Sequence, residues 1–507
     1  MRVFLRRHSP LFMSLAAMLV LYIPWINRGY VNLEFCYTFA AKALAFPGNE
    51  RLFGAYWFNI ANPLGYPIVV GVLYKFFGVR EFWISRLPAI FGAGMILIAL
   101  WLFTKSYWTG KKLFLQLAIL VLLSPMIFVF STTGTADIFP VGLLFFALGL
   151  TYYNNSRNVY YDLIASVIFG LSIVTKYNGV YFGLAFIAIS ISKVETNNEQ
   201  NRSRAALTYI VIPGLILVTY LVWSELNFDV FISSRLGMSK PKFLDLRSYA
   251  INFVKYLSFL GLFCSPLTFF ALKPIFARAK SKSKLLVVVI SVLLFSFFGT
   301  AQLRAGELDF GLGLPGGALF GRGLEAVGLL GGLSLLYLTR RVFASNEPLR
   351  RVIFFSLLPY AILVPATYPS QRYLLFVLPF ALLMLIEGLR DTSKRLQLVA
   401  VGSTALIFAA VSLLGMSYLR AQGNASEQMA VWIEENGLIS ETSPGVIFAH
   451  SGQHFWGIEV KQIRYEVIAV NPGDESKVRG KVLHREPMNV LGEVTRVYLL
   501  REVSASP

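Results

Sequence analysis

Four ionisable side chains stand at the edges of long apolar runs. Glu34 lies in Asn32-Leu33-Glu34-Phe35-Cys36-Tyr37, and Asp137 in Thr133-Gly134-Thr135-Ala136-Asp137-Ile138-Phe139-Pro140. Lys176 follows Leu171-Ser172-Ile173-Val174-Thr175, and Arg372 sits in Pro369-Ser370-Gln371-Arg372-Tyr373. A charge held at membrane depth is costly, so each is a functional candidate by default. Each also has a plainer reading. Glu34 could complement the dipole of the helix it opens, and Asp137 could cap the apolar helix that follows it. Lys176 could snorkel to the interface, and Arg372 could anchor to lipid headgroups. Two cations beside two carboxylates on one side of a membrane suit a phosphate-bearing ligand better than four unrelated anchors would.

The elements that must position these groups are membrane helices. Of 507 residues, 56% are hydrophobic and 14% charged, with 43 Phe and 24 Tyr, a balance that excludes a water-soluble fold. Tyr107-Trp108 and Tyr152-Tyr153 fall at segment ends, where amphipathic rings favour the bilayer interface. Crossing the hydrocarbon needs about 20 apolar helical residues. Candidate segments begin near Leu11, Leu64, Leu87, Leu113, Ile138, Tyr161, Asn178, Leu207, Ile251, Leu285, Gly323, Val352, Tyr373 and Leu398, the last ending near Tyr418.

The net charge of +19 resides in short loops, where it sets topology and gives no sign of nucleic acid. Lys273, Arg278, Lys280, Lys282 and Lys284 mark one cytoplasmic loop, and Arg340, Arg341, Arg350 and Arg351 another. Arg2, Arg6 and Arg7 place the N-terminus inside, ahead of a retained first span with no small-residue cleavage site. Glu34, Asp137 and Lys176 then all face outside, but only if one segment between Glu34 and Asp137 does not cross. The run Leu64 to Phe77, short and holding Pro67 and Lys75, is expected to be that segment, partly inserted or re-entrant, which leaves about thirteen transmembrane helices; the alternative is a different boundary for one of the segments. Tyr37 to Phe46 is expected to lie along the interface, and the glycine-rich loop Gly299 to Arg322 is either a cover over a site or a plain connector.

After Arg420 mixed charges and strand-like runs, Val446-Ile447-Phe448 and Arg496-Val497-Tyr498-Leu499-Leu500, indicate a small soluble α/β domain. The expected division is therefore 1–421, an all-α polytopic membrane domain whose outer loop 27–62 carries Glu34, and 422–507, the extracytoplasmic appendage. Cys36 and Cys264 are too far apart to indicate a disulfide framework or a metal site. His450 and His454 find no carboxylate or cysteine to complete a ligand set.

In order along residues 10 to 390, these motifs resemble the GT-C class of membrane glycosyltransferases, near the dolichyl-phosphate-mannose protein mannosyltransferases and the lipid A aminoarabinose transferases. The resemblance is carried by Glu34 with Tyr37 and Ala40, by Asn62-Pro63-Leu64-Gly65-Tyr66-Pro67, and by Phe77-Gly78-Val79-Arg80-Glu81-Phe82 running into Arg86-Leu87-Pro88. Thr135-Ala136-Asp137, Gly170-Leu171-Ser172-Ile173-Val174-Thr175-Lys176 and Gln371-Arg372-Tyr373-Leu374 with Pro379 complete it. It implies a sugar donor carried on a polyprenyl phosphate and a glycan, lipid or protein acceptor presented outside. It also implies a carboxylate base in the first outer loop, the position Glu34 occupies. Asp137 is the second catalytic candidate. Phosphate binding would fall on Lys176 and Arg372, with Tyr373 and Asn62 beside them. The family commonly has Asp where this chain has Glu34, and it has a second proline where this chain has Leu64. No cofactor is fixed by the resemblance, and a divalent metal is left open. A carboxylate that takes the acceptor's proton, with cations stabilising the departing phosphate, is coherent chemistry, and one displacement would invert the anomeric centre. The competing class is a secondary transporter or lipid flippase, in which the same charges would line a substrate pathway.

Overall fold

The computed structural model describes residues 2–31, 34–46, 62–77, 82–107, 111–153, 159–192, 199–230, 245–271, 282–298, 317–343, 348–366, 371–390, 392–438, 446–449, 455–456 and 465–502. Sixteen α-helices are described. They are α1 Arg2–Tyr22, α2 Glu34–Ala45, α3 Gly65–Phe77, α4 Phe82–Tyr107, α5 Lys111–Leu123, α6 Pro125–Ser131, α7 Ile138–Tyr153 and α8 Val159–Thr175. They continue with α9 Gly183–Ser192, α10 Glu199–Phe228, α11 Leu246–Phe263, α12 Lys282–Phe298, α13 Gly317–Phe343, α14 Pro348–Leu363, α15 Leu378–Gly388 and α16 Lys394–Glu435. Every apolar run read from the sequence is helical over its described residues.

Among the described residues, four helices are long and apolar enough to cross a membrane, or up to five if the pair α5 and α6, bent by 64°, forms one span. Several other apolar helices have 10–17 residues, about 15–25 Å at 1.5 Å per residue against a hydrocarbon core of about 30 Å. The expectation of about thirteen crossings counted such short helices as full spans. Helix α3, with 13 residues, reaches only about 20 Å. It packs on α2, whose Ala40, Ala41, Ala43 and Ala45 are buried, so the stretch Tyr37 to Phe46 is helical through Ala45 and has one face against the protein. The glycine-rich loop lies outside the described residues from 299 to 316, as do Lys273, Arg278, Lys280, His450 and His454.

Helices α4 and α7 pack backbone to backbone. A Cβ added to Gly142 would stand 2.3 Å from the Gly92 carbonyl oxygen, and one added to Gly92 would stand 2.7 Å from that of Ile138. Only glycine permits two backbones to approach so closely, and the contact fixes the start of α7 against α4 at Gly92. Pro125 opens α6 after the bend at Ser124, so α6 delivers the 132–137 turn to the same place.

Helix α16 runs unbroken for 42 residues, through the boundary expected between 421 and 422, and carries the chain out to a five-stranded sheet. The strands are β1 Val446–Ala449, β2 Phe455–Trp456, β3 Tyr465–Val470, β4 Val482–Val490 and β5 Glu493–Glu502, in the order β2-β1-β3-β5-β4. β1 and β3 pair in parallel and the rest antiparallel, with Val467 opposite Leu500. Both strand-like runs seen in the sequence are strands. Met429 and Ile433 of α16 are buried with Met488, Tyr498 and Leu500 of the sheet, and Trp432 stacks on His484 at 4.4 Å between ring centroids.

Candidate functional site

Two buried carboxylates lie on either side of the 132–137 turn. Glu34, at the first turn of α2, accepts five hydrogen bonds. Its Oε1 takes Arg86 Nε at 2.9 Å and the Gly134 amide at 2.5 Å. Its Oε2 takes Arg86 Nη2 at 2.7 Å, the Val31 amide at 2.7 Å and Arg28 Nη1 at 3.3 Å. A carboxylate offers about four lone-pair directions, so the group is saturated. Arg86 is equally committed. Its remaining N–H groups donate to the Ile26, Arg28 and Gly29 carbonyls at 2.6, 2.7 and 3.0 Å, and Arg28 Nη2 donates to the Thr132 carbonyl at 3.1 Å. Burial alone would push the Glu34 carboxyl up, but the charges of Arg86 and then Arg28 outweigh it and hold it at about 2. This centre knits four segments together: the chain after α1, the start of α2, the start of α4 and the turn after α6.

Asp137 closes the same turn and is differently equipped. Its Oδ1 receives Lys176 Nζ at 2.5 Å and its Oδ2 the Thr135 hydroxyl at 2.7 Å. Two donors leave roughly half of its accepting capacity open. Lys176 is delivered because α8 stops at Thr175. The chain turns extended at Lys176 (φ −156°, ψ 118°) before a 3-10 turn over Tyr177–Phe182, and the Ser172 hydroxyl bonds the Pro140 carbonyl at 2.8 Å, tying α8 to α7. Lys176 Nζ also lies 5.4 Å from the Tyr373 ring centroid and 5.8 Å from that of Phe376, within cation–π range.

Arg372 lies in the 3-10 turn Gln371–Phe376 ahead of α15, within electrostatic reach of Asp137 and Tyr37. Among the described residues it makes no hydrogen bond or ion pair. Asn62 reaches the same region through Tyr37, donating from Nδ2 to its hydroxyl at 2.8 Å. The structure therefore gathers Asp137, Lys176, Arg372 and Tyr373, with Asn62 and Tyr37 at its border, and places Glu34 in a centre of its own. Of the partners of Glu34, Arg86 was read in the sequence only as part of a motif and Arg28 not at all. Arg86, a charge at the head of an apolar run, carried the same signal that flagged Lys176. Thr135 carried none beyond standing two residues before Asp137. Among the described residues no group of three or more His, Cys, Asp or Glu side chains could hold a metal ion.

Comparison with known proteins adds the following. Among solved structures, ArnT from Cupriavidus metallidurans bound to undecaprenyl phosphate is 13% identical, with 97% of this chain and 98% of that one covered at a TM-score of 0.46. The archaeal oligosaccharyltransferase AglB from Archaeoglobus fulgidus, in complex with an inhibitory peptide and a dolichol-phosphate, is 13% identical over 91% of this chain and 69% of that one, with a TM-score of 0.46. The arabinosyltransferase EmbB from Mycobacterium smegmatis is 13% identical over 95% and 45%, with a TM-score of 0.33. No curated protein matches the chain. Residues 61–223 match the family model of the dolichyl-phosphate-mannose-protein mannosyltransferases, so over the stretch that holds Asn62, Arg86, Asp137 and Lys176 the chain is similar in sequence to the group its motifs resemble.

Proposed function

We propose that this integral membrane protein is a glycosyltransferase that moves a sugar from a polyprenyl-phosphate donor to a glycan, lipid or protein acceptor on the extracytoplasmic face, by a multi-pass domain with its N-terminus inside. The observation that carries this reading is the buried Asp137–Lys176 pair with Arg372 beside it and otherwise uncommitted. One carboxylate and two cations leave the site a net positive charge, which a donor phosphate would neutralise.

The pair also supplies a way to begin. When the donor enters, Lys176 exchanges Asp137 for a phosphate oxygen, and Arg372 takes another. Asp137 is thereby released to accept the proton of an acceptor hydroxyl. The acceptor oxygen forms its bond to the anomeric carbon as the bond from that carbon to the phosphate oxygen breaks, and the phosphate leaves on the lipid with its charge held by the two cations. A single displacement inverts the anomeric centre. The base role expected of Glu34 passes in this reading to Asp137, because Glu34 has no lone pair left for an acceptor. Glu34 instead holds Gly134 and so positions the turn that ends in Asp137.

The test is transfer of labelled sugar by purified protein in lipid across a panel of polyprenyl-phosphate donors and acceptors. Transfer by the wild type, lost on Asp137→Asn with folding retained, is the expected result. Absence of transfer over the whole panel, together with movement of labelled lipid or solute across vesicles, would overturn the reading in favour of a transporter or flippase.

A further inference from the structure

Where α16 leaves the helical bundle for the sheet, it touches the first outer loop backbone to backbone. A Cβ added to Gly29 would stand 2.3 Å from the Gly423 carbonyl oxygen, and one added to Gly423 would stand 2.7 Å from that of Gly29. Neither distance is tolerated by real side chains, so both positions must be glycine for the two segments to meet. The demand is local to this point of α16. Gly402, on the same helix, would place its Cβ with nothing within 4 Å.

The loop held in this way is the one that grips Arg86. Gly29 supplies the carbonyl that accepts from Arg86 Nη2 at 3.0 Å, and its neighbour Arg28 supplies another at 2.7 Å. On the helix side, the residue before Gly423 is Gln422, which is buried and hydrogen-bonded to Tyr498 of β5. Consecutive residues of α16 therefore bind the sheet and the loop. The same helix braces the far side of the Glu34 centre, where Ser412 Oγ donates to the Leu123 carbonyl at 2.8 Å and Thr132 Oγ1 lies 3.4 Å from Met416 Sδ. An unbroken path of contacts thus runs from β5 through Gln422 and Gly423 to Gly29, Arg86, Glu34 and the Gly134 amide, three residues before Asp137.

We infer that Gly423 is a positioning residue through which the C-terminal helix and sheet set the geometry of the Glu34 centre and, through Gly134, of the Asp137 turn. The C-terminal unit is on this account a brace for the site. The inference rests on the glycosyltransferase reading for its kinetic consequence but not for its structural one. A displacement of a few tenths of an ångström at Gly29 is passed on through hydrogen bonds that have no slack, and small misplacement of catalytic groups is expensive.

The experiment compares Gly423→Ala with Gly402→Ala in the full chain in lipid. It measures hydrogen exchange of the Val31 and Gly134 amides, the thermal midpoint, and kcat and donor KM for sugar transfer. For Gly423→Ala the expected result is exchange at both amides faster by about tenfold, kcat down by about 10- to 100-fold and donor KM within about twofold. Gly402→Ala should leave all of these unchanged. Gln422→Leu, which cuts the bond to Tyr498 without adding bulk at the loop, should move the same two amides in the same direction by less, and it decides the matter if Gly423→Ala does not fold. Unchanged exchange at Val31 and Gly134, or exchange raised evenly along the chain with a lower midpoint, would overturn the inference. If the wild type transfers no sugar, the functional reading fails alone, and the two amides still decide whether α16 governs the Glu34 centre.

Discussion

Glu34 and Asp137 are both buried carboxylates paired with cations, and they differ in how much of their bonding capacity is spent. Around Glu34, five donors converge and Arg86 has all of its N–H groups engaged. Around Asp137, two donors are in place, and Arg372 stands nearby without a bond to anything described. With Glu34 and Arg86 saturated, and Arg28 Nε the one group of the three without a hydrogen bond among the described residues, such a network fixes geometry and resists change. A partly satisfied one can exchange partners, which is what binding a phosphate and moving a proton require. Charge and burial alone do not separate the two centres, whereas the count of donors does, and the proposed division of roles rests on it.

The comparison breaks most visibly at Arg86. Arg86→Met takes two of the five donors from the Glu34 carboxylate and leaves three backbone carbonyls without their donor, and losing one partner of a buried pair costs about 3–5 kcal/mol. The expected outcome is a large fall in the thermal midpoint and in the yield of folded protein. Unchanged stability would show that the Glu34 centre does not hold the loop. Lys176→Met unpairs the buried Asp137 and so lowers the midpoint as well, and in the folded fraction it should lower kcat by about 100- to 1,000-fold as the phosphate loses a charge partner. Arg372→Gln should lower kcat in the same way with little change in melting, since no bond is lost in the resting protein. A midpoint that falls as far for Arg372→Gln as for Arg86→Met would erase the distinction between the centres.

Smaller effects sharpen it. Thr135→Val removes one neutral hydrogen bond from Asp137, worth about 0.5–1.5 kcal/mol, so kcat should fall by about tenfold or less, read in the same transfer assay. A pH titration of stability separates the centres by sign. The Glu34 carboxyl sits at about 2, below its ordinary 4.5, so its stabilisation is fully present above about pH 4.5 and is lost as pH falls through about 2. The gap in stability between wild type and Glu34→Gln should be constant above about pH 4.5 and narrow below it. A gap that widens on acidification would contradict the ion-pair account of Glu34.

The helices were legible because the apolar runs stand out from the polar segments between them, and Asp137, Lys176 and Arg372 stood out because charge at the edge of such a run is conspicuous. Partnership was not. Asp137 and Lys176 are 39 residues apart, and their pairing depends on α8 stopping at Thr175 and on the Gly92–Gly142 contact that seats α7 against α4. Glu34 and Asp137 looked alike in sequence, each a carboxylate beside a helix start. Only the tertiary fold brings Arg86 and the Val31 and Gly134 amides onto one of them. The number of crossings was not legible for a similar reason: apolar runs reveal where helices are, while turns such as the 3-10 segment over Tyr177–Phe182 decide how long each one is.

The central claim is that Asp137 does the chemistry and Glu34 holds the frame. The direct measurement is sugar transfer per folded molecule by Asp137→Asn and Glu34→Gln, side by side in lipid with their thermal midpoints. The account predicts that Asp137→Asn loses about 100- to 10,000-fold in kcat per folded molecule, the usual worth of a general base, beyond the fall in midpoint that follows from unpairing the buried Lys176. It predicts that Glu34→Gln loses stability first and keeps measurable transfer in the fraction that folds. Transfer abolished by Glu34→Gln at an unchanged midpoint, with Asp137→Asn still active, would contradict it.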